Sequence, residues 1–277
     1  MRVKKMKNHR FFINEFIRFA NIVQGHSYTK KLMLFGVRNS QVMKYIGENK
    51  MDYSPLWISI KVAVLATIVT FVLGLLAARW VLSLKKIRFV VDGIFSLPMV
   101  LPPTVVGFFL LILFGKNSAF GQLLMRMGLN VLFTWQGAVI AATVVSFPIM
   151  YRTSIGAFEQ VDKNLLHAAR TLGMSEVKLF FKVLLPVSWP GVAAATILAF
   201  ARALGEFGAT IMLAGNIPGR TQTMSVAIYT AMQSGNRELA YRWVAIIMAL
   251  SFITIFLMNY WTSHQNELLK GKGRSGY

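Results

Sequence analysis

The sequence predicts an all-α membrane protein with about five transmembrane helices, and three observations carry that reading. Of the 277 residues 55% are hydrophobic and only 14% charged, with a mean hydropathy of +0.54, which is too apolar for an ordinary soluble domain. Several apolar runs reach the roughly 20 residues needed to cross a hydrocarbon core of about 30 Å. Most of the basic residues flank those runs.

Before the first run, residues 1 to 50 form a separate basic block, in which eleven Lys or Arg stand against Glu15 and Glu48. Phe12, Phe16, Phe19 and Val23 fall at helical spacing, so this stretch reads either as an amphipathic helix on an anionic membrane surface or as a basic tail without structure. The first thirty residues lack a continuous apolar core ending in small residues, so the first true span is expected to start insertion itself.

Five segments then pass the length test: roughly Leu56 to Leu84, Phe89 to Phe114, Trp135 to Tyr151, Val187 to Leu213 and Trp243 to Trp261, the third being the shortest. If the loop after the first span is cytoplasmic, that side collects Arg79, Lys85, Lys86, Arg88, Arg152, Lys163, Arg170, Lys178, Lys182, Lys270, Lys272 and Arg274. The other side holds Lys116, Arg126, Arg220, Arg237 and Arg242, and twelve against five orients the bundle with its C-terminus inside. This distribution also accounts for the net charge of +20 without nucleic acid as a partner; the partner it implies is membrane lipid.

In the second span, "SLPMVLPPTVVG" places Pro98, Pro102 and Pro103 where each removes a backbone donor and interrupts a regular helix. Such breaks are tolerated at membrane depth only where the freed carbonyls face protein or a water-filled cavity, so Pro102 and Pro103 are candidates for lining a translocation pathway or for a packing kink. Pro148 in the third span predicts a milder kink. In the fourth, Arg202 and Glu206 stand four apart on one helix face, about 18 Å beyond Pro190 at 1.5 Å per residue. A lone charge there costs about 3 kcal/mol, so the two are expected to face the interior and each other, as an internal ion pair or as part of a pathway or gate. Gly205 and Gly208 allow a neighbouring helix to come close.

Between the third and fourth spans lies a polar interruption, "VDKNLLHAARTLGMSEVKLFFKVLLP". Asp162 and Asn164 are helix N-caps by type, Leu165 to Leu172 form a short helix with an apolar side, and Gly173 suits a left-handed C-cap. Ser175 caps a second helix, Glu176 to Val183, which Pro186 separates from the next span. Small alanines on one side of the first helix suit insertion into a groove of another protein, while rest on the lipid surface is the alternative.

Chemistry-bearing patterns are few. Gly215 to Thr221 superficially resembles a phosphate loop but has three residues between its glycines instead of four, and Arg220 stands where Lys is needed. The four histidines, His9, His26, His167 and His264, form no HExxH pair, there is no cysteine, and no cofactor or metal site is expected. A membrane-embedded enzyme would need a cluster of catalytic side chains at one depth, for which only Arg202 and Glu206 are available. A mere membrane anchor would need neither broken spans nor buried charges.

The polar interruption carries a resemblance. Ala168 and Ala169, Gly173 after three residues, Val183 after nine and then Leu185 and Pro186 resemble the EAA signature of ABC importer permeases, with His167 in the place of the signature's Glu and Val183 in that of its Ile. Together with "SLPMVLPPTVVGFFLL" and "FARALGEFGATIMLAGNIPGRTQT", the stretch from about Met51 to Trp261 is similar to molybdate permease subunits of type I ABC importers, of which sulfate and tungstate permeases are close relatives. The resemblance implies a type I importer permease bundle in the plasma membrane of a bacterium or archaeon. It implies a coupling helix at Leu165, Leu166, His167, Ala168, Ala169, Arg170, Thr171, Leu172 and Gly173 that docks on an ATPase subunit. It further implies a second copy of this chain, two cytoplasmic ATPase subunits and an external oxyanion-binding protein, with ATP hydrolysis outside this chain.

The resemblance leaves out the basic block, which five spans and a cytoplasmic C-terminus would place on the side that the charge rule disfavours. Translation from Met51 resolves that conflict, and a surface-lying extension is the other account. Mass spectrometry of the protein from its native membrane is expected to find a mature N-terminus at Met51. Peptides from residues 1 to 50 at normal abundance would establish the extension instead.

Overall fold

The computed structural model describes residues 51–84 and 86–272. The amphipathic reading of Phe12 to Val23 and the sidedness of Lys85 and Arg274 lie outside the described residues. Eleven α-helices are seen among the described residues: α1 Ser54–Ser83, α2 Arg88–Val100, α3 Pro103–Phe114, α4 Ala119–Arg126, α5 Trp135–Glu159, α6 Lys163–Thr171, α7 Glu176–Leu179, α8 Leu185–Leu204, α9 Gly208–Ala214, α10 Met224–Gln233 and α11 Arg237–Lys272. A π-helical turn, Phe180–Leu184, joins α7 to α8 without interruption.

Two compact units divide the chain. In the larger, Ser54–Ala227 with Ala249–Tyr277, α5 is the central element and packs against α1, α8, α2, α9 and α3. Small residues set these approaches, as is usual where lipid removes the hydrophobic drive between helices. A Cβ on Gly74 of α1 would stand 2.6 Å from Cγ of Met150 in α5, and one on Gly191 of α8 would stand 2.5 Å from Cβ of Ala157. Thr70 and Ser146 share a hydrogen bond of 3.2 Å across the α1–α5 seam, and Phe95 of α2 meets Phe147 and Tyr151 of α5 edge-on. Two apolar cores result: a large one toward the α6 end around Leu75, Met150, Phe158, Leu179 and Ala195, and a smaller one around Val106, Leu110, Val145 and Leu213.

The spans differ from the sequence expectation in ways that have physical causes. The second is two helices bent by 109°, with the break at Leu101 and Pro102, whereas Pro98 sits inside α2 without ending it. An ion pair joins Arg88, at the start of α2, to Glu159, at the end of α5. Gly115, at the end of α3, lies against Gly121 of the loop that leads to the start of α5. Among the described residues four helices are long and apolar enough to cross a membrane, and the bent pair makes five if it is one broken span. The third span continues eight residues past Tyr151, to Glu159, through Pro148.

The fourth span begins earlier and ends earlier than expected. Pro186 lies in the first turn of α8, where a missing N–H costs little, so it does not separate the second surface helix from the span; Glu176–Leu204 is one helical path. That path stops at Leu204, and Gly208–Ala214 is a separate helix. The fifth span falls in Arg237–Met258 of α11, several residues before the expected Trp243 to Trp261.

The smaller unit contains Ile228–Met248 among the described residues. Gly235, with φ of 76°, ends α10: its N–H bonds to Met232 O at 3.1 Å and that of Asn236 to Ala231 O at 2.9 Å, a Schellman pattern that only a residue tolerant of positive φ completes without strain. Asn236 Oδ1 then accepts from Leu239 N–H at 3.1 Å and opens α11.

Gly107 of α3 is the tightest helix contact in the smaller core, where a Cβ would come within 2.7 Å of Ala209 Cα and 2.8 Å of Met212 Cβ. Gly107→Val is expected to lower stability by about 1–3 kcal/mol, and Gly93→Ala, at a helical site with nothing within 4 Å, to leave it unchanged or raise it by up to about 1 kcal/mol. Thermal unfolding of the two purified variants measures the difference; equal unfolding temperatures would contradict the packing.

Candidate functional site

Two groups of residues carry the chemistry, one at each end of the path Glu176–Leu204. At the polar end, the Asp162 side chain accepts from Asn164 N–H at 2.8 Å and starts α6. Gly173, with φ of 77°, ends it: its N–H bonds to Arg170 O at 2.9 Å and that of Met174 to Ala169 O at 3.2 Å. The helix therefore covers Lys163–Thr171, and Leu172 and Gly173 lie in its cap. Ser175 caps α7 by accepting from Lys178 N–H at 3.4 Å.

Ion pairs and core contacts join this segment to the bundle. Glu176 accepts from Arg170 at 2.7 Å and from Arg79, at the end of α1, at 2.5 Å, so one carboxylate ties α6, α7 and α1. Its hydrogen bond holds the Arg170 guanidinium above its ordinary pKa. Ala169, 6% exposed, belongs to the large core, and Leu166 and Met174 pack against it. The two alanines thus do not share a role: Ala169 faces the chain's own core, whereas Leu165, His167, Ala168, Arg170, Thr171, Leu172 and Gly173 are exposed, Leu172 to 80%. Leu165, Ala168 and Leu172, at spacings of three and four, make the outward apolar stripe.

At the other end, two breaks meet. Pro102 caps α3 in an extended conformation and Pro103 occupies its first position. Gly208 opens α9, and a Cβ there would stand 3.1 Å from both Pro103 Cβ and Thr104 N. Gly205 makes no such approach; it simply follows the last turn of α8. The start of α3 therefore rests on the start of α9, which brings Pro103 beside the segment that carries Glu206. Pro102 and Pro103 also deprive the carbonyls of Pro98 and Met99 of their helical donors, so polar backbone collects at this level.

Arg202 and Glu206 do not lie on one helix face, because α8 ends between them. They still pair, with Nη1 2.7 Å from Oε2, and Glu206 is 2% exposed while Arg202 is 31% exposed. Glu206 Oε1 accepts from Ala209 N–H at 2.8 Å and so serves one of the orphan donors of α9. Its Oε2 has the arginine as a close ionic neighbour but no aligned hydrogen-bond donor. Helical spacing suggested the pair and not the cap; the two nearby glycines were the signal for an interrupted helix.

Sequence reasoning also passed over Asp92. It accepts from Tyr151 Oη at 3.0 Å and lies 3.2 Å from Arg152 Nη2, while Arg152 Nε donates to Ser96 at 2.7 Å, which fastens α2 to α5 at the α6 end. Asp92 is the only acid in its run, and that isolation was the available sign. No group of acids and histidines able to hold a metal occurs among the described residues.

The chain matches, over residues 70–263, the family described as binding-protein-dependent transport system inner membrane component. It is 44% identical over 214 residues to the putative molybdenum transport system permease protein YvgM of Bacillus subtilis (strain 168), covering 76% of this chain and 94% of that protein. Against the molybdenum transport system permease protein ModB of Escherichia coli (strain K12) it is 41% identical over 210 residues, covering 74% and 91%. The sulfate transport system permease protein CysT of Salmonella typhimurium (strain LT2) is 35% identical over 204 residues, covering 73% of each. In fold the chain is similar to a solved bacterial ABC transporter involved in the import of the acidic polysaccharide alginate, with a TM-score of 0.66 at 13% identity, covering 95% of this chain and 99% of that one.

Glu206→Gln keeps an oxygen for Ala209 N–H, and Glu206→Ala removes it. The alanine variant is expected to be less stable than the glutamine variant by about 1 kcal/mol, the worth of a helix cap. Thermal unfolding in detergent compares them; indistinguishable variants would mean that the cap does not matter.

Proposed function

The chain belongs to the family of binding-protein-dependent transport system inner membrane components, and from that premise we propose that it is the membrane-spanning permease of an ATP-driven molybdate importer. Its fold is that of type I ABC importer permeases. The higher identity to molybdenum permeases, 44% and 41%, than to the sulfate permease, 35%, favours molybdate over sulfate as cargo.

The observation that carries the coupling mechanism is the single helical path from Glu176 to Leu204, about 43 Å at 1.5 Å per residue. Its first residue is bonded to α6 and its last lies beside the break that carries Glu206. In this reading α6 docks through Leu165, Ala168 and Leu172 into a groove of a cytoplasmic ATPase subunit, and ATP-driven closure of two such subunits pulls it. Glu176 and the core contacts of Ala169 and Leu166 pass that displacement to α8, which shifts the seam between α3 and α9. A second copy of the chain supplies the other half of the pathway, and an external binding protein delivers the anion.

Arg202, partly exposed, is the group at this level able to receive a dianion. Glu206 partly neutralises it, which keeps the anion's stay short, as conduction demands binding weak enough to leave. Pro102 and Pro103 add unbonded carbonyls and a fixed bend, so this stretch of the pathway is shaped by backbone.

Uptake of labelled molybdate by liposomes holding the permease, its ATPase subunits and the binding protein tests the proposal. ATP-dependent uptake of molybdate in preference to sulfate is expected, and the reverse preference would reassign the cargo. Ala168→Glu and Leu172→Asp should leave the unfolding temperature unchanged while ATPase retention and uptake fall about tenfold or more, the effect of some 1.4 kcal/mol at an interface. Ala169→Glu should instead lower the unfolding temperature, because it places a charge in the chain's own core. Normal coupled uptake by Leu172→Asp would refute the docking face.

A further inference from the structure

At the end of the bundle opposite α6, the loop between α3 and α5 contains α4, Ala119–Arg126, which no part of the transport mechanism uses. Ser118 caps it by accepting from Gly121 N–H at 2.8 Å. Gly128, with φ of 75°, closes it: its N–H bonds to Met125 O at 3.0 Å and that of Leu129 to Leu124 O at 2.9 Å. Its roll is fixed by Gly121, the one buried residue of α4, where a Cβ would stand 2.1 Å from Gly115 O. With that side pressed to the end of α3, the stripe Phe120, Leu123 and Met127, at spacings of three and four, stays exposed, Leu123 to 54% and Met127 to 66%. Gln122 and Met125, the latter 45% exposed, lie on the far side, and Arg126, three residues from Leu123, sits at the edge of the stripe.

We infer that α4 lies in the headgroup region of the outer leaflet, with Phe120, Leu123 and Met127 in the acyl boundary and its cations toward anionic lipid phosphates. Chain connectivity sets its height, since it is tethered between the outer ends of two spans by short linkers. The apolar surface is continuous: Ile112 and Leu113 at the end of α3 are exposed, and the Phe114 ring meets Phe120 at 5.5 Å. Charge sets the partner. Lys116 and Arg126 are exposed, and no Asp or Glu occurs from Gly93 to Phe158, so nothing in this loop repels phosphate. A positively charged, strongly amphipathic helix of this kind binds in the plane of an anionic interface. The inference rests on the spans alone and is independent of the cargo.

The absence of cysteine makes the test direct. Single variants Leu123→Cys, Met127→Cys, Gln122→Cys and Arg126→Cys of the full-length chain are labelled with an environment-sensitive fluorophore. The labelled proteins are reconstituted in liposomes of phosphatidylglycerol and phosphatidylethanolamine. Labels at 123 and 127 are expected to be quenched several-fold more by a nitroxide carried high on the lipid acyl chain than by aqueous iodide, with the opposite order at 122 and an intermediate ratio at 126. Replacing the phosphatidylglycerol with a neutral lipid should weaken the contrast. Equal iodide quenching at all four positions would overturn the inference. So would shielding of 123 and 127 from both quenchers, which signifies a protein contact, or shielding that arises only when an external binding protein is added.

Discussion

One buried carboxylate governs the break between α8 and α9. A break in a membrane helix exposes backbone donors and acceptors where water cannot reach them, at a cost of several kcal/mol for each unsatisfied group. At the end of α8 Glu206 meets that cost with its own side chain, one oxygen on the Ala209 N–H and the other against Arg202. Without it, α9 would begin with an orphaned donor and Arg202 would be a cation without a counter-ion. The break facing it, at Leu101 and Pro102, uses the complementary device, in which proline removes the donors. Both interruptions therefore persist at one place, and Gly208 and Gly107 bring the resulting short helices into backbone contact.

This arrangement sets two helix breaks side by side at the level where α3 meets α9. Above and below it, long helices pack through small residues and cannot deform without losing contacts along their length. In the proposed coupling, a displacement applied at Glu176 would travel along one helical path to the place where that path ends. The π turn Phe180–Leu184 sits within that path beside the large core, with Phe180 against Phe158 of α5, so the polar end is also fixed from within. Because single-turn π insertions concentrate at functional sites, its position next to the docking segment fits the reading of that segment as the point where force enters.

Much of this was legible in the sequence, for identifiable reasons. Span existence follows from run length and the lack of charge, so the four long apolar helices were found, while the remaining segment is the bent pair α2 and α3. The caps at Asp162, Gly173 and Ser175 were read because each depends on a residue and its near neighbours. What failed was reasoning that needed a third dimension. Pro98 and Pro186 were read as interruptions from type alone, yet one is carried inside α2 and the other falls in a first turn whose preceding π path supplies the continuity. Ala168 and Ala169 look equivalent in sequence, and only the packing of α6 on the core makes one inward and the other outward. Arg202 and Glu206 kept their pairing because the backbone goes on turning past the helix end, with Gly205 N–H on Ala201 O at 3.2 Å and Glu206 N–H on Ala203 O at 3.3 Å.

The two surface helices show how similar local chemistry is put to different uses. Both α4 and α6 begin with a side-chain cap, end in a glycine with positive φ, and bury one small residue, Gly121 or Ala169, against the bundle. They diverge in what surrounds the exposed stripe. Beside α6 lies Glu176 of α7, whose two exposed arginine bonds join it to α6 and α1, and Ala169 and Leu166 add contacts with the large core. Around α4 there are no acids, no ion pair to another element among the described residues, and an apolar stripe of flexible Met and Leu beside Phe. A surface of that kind gains from a soft, deformable medium with negative charge near its edge and gains little from a shaped groove. On the two proposals made above, the same capped helix serves as a lever where ion pairs join it to its neighbours and as a float where only a glycine contact holds it.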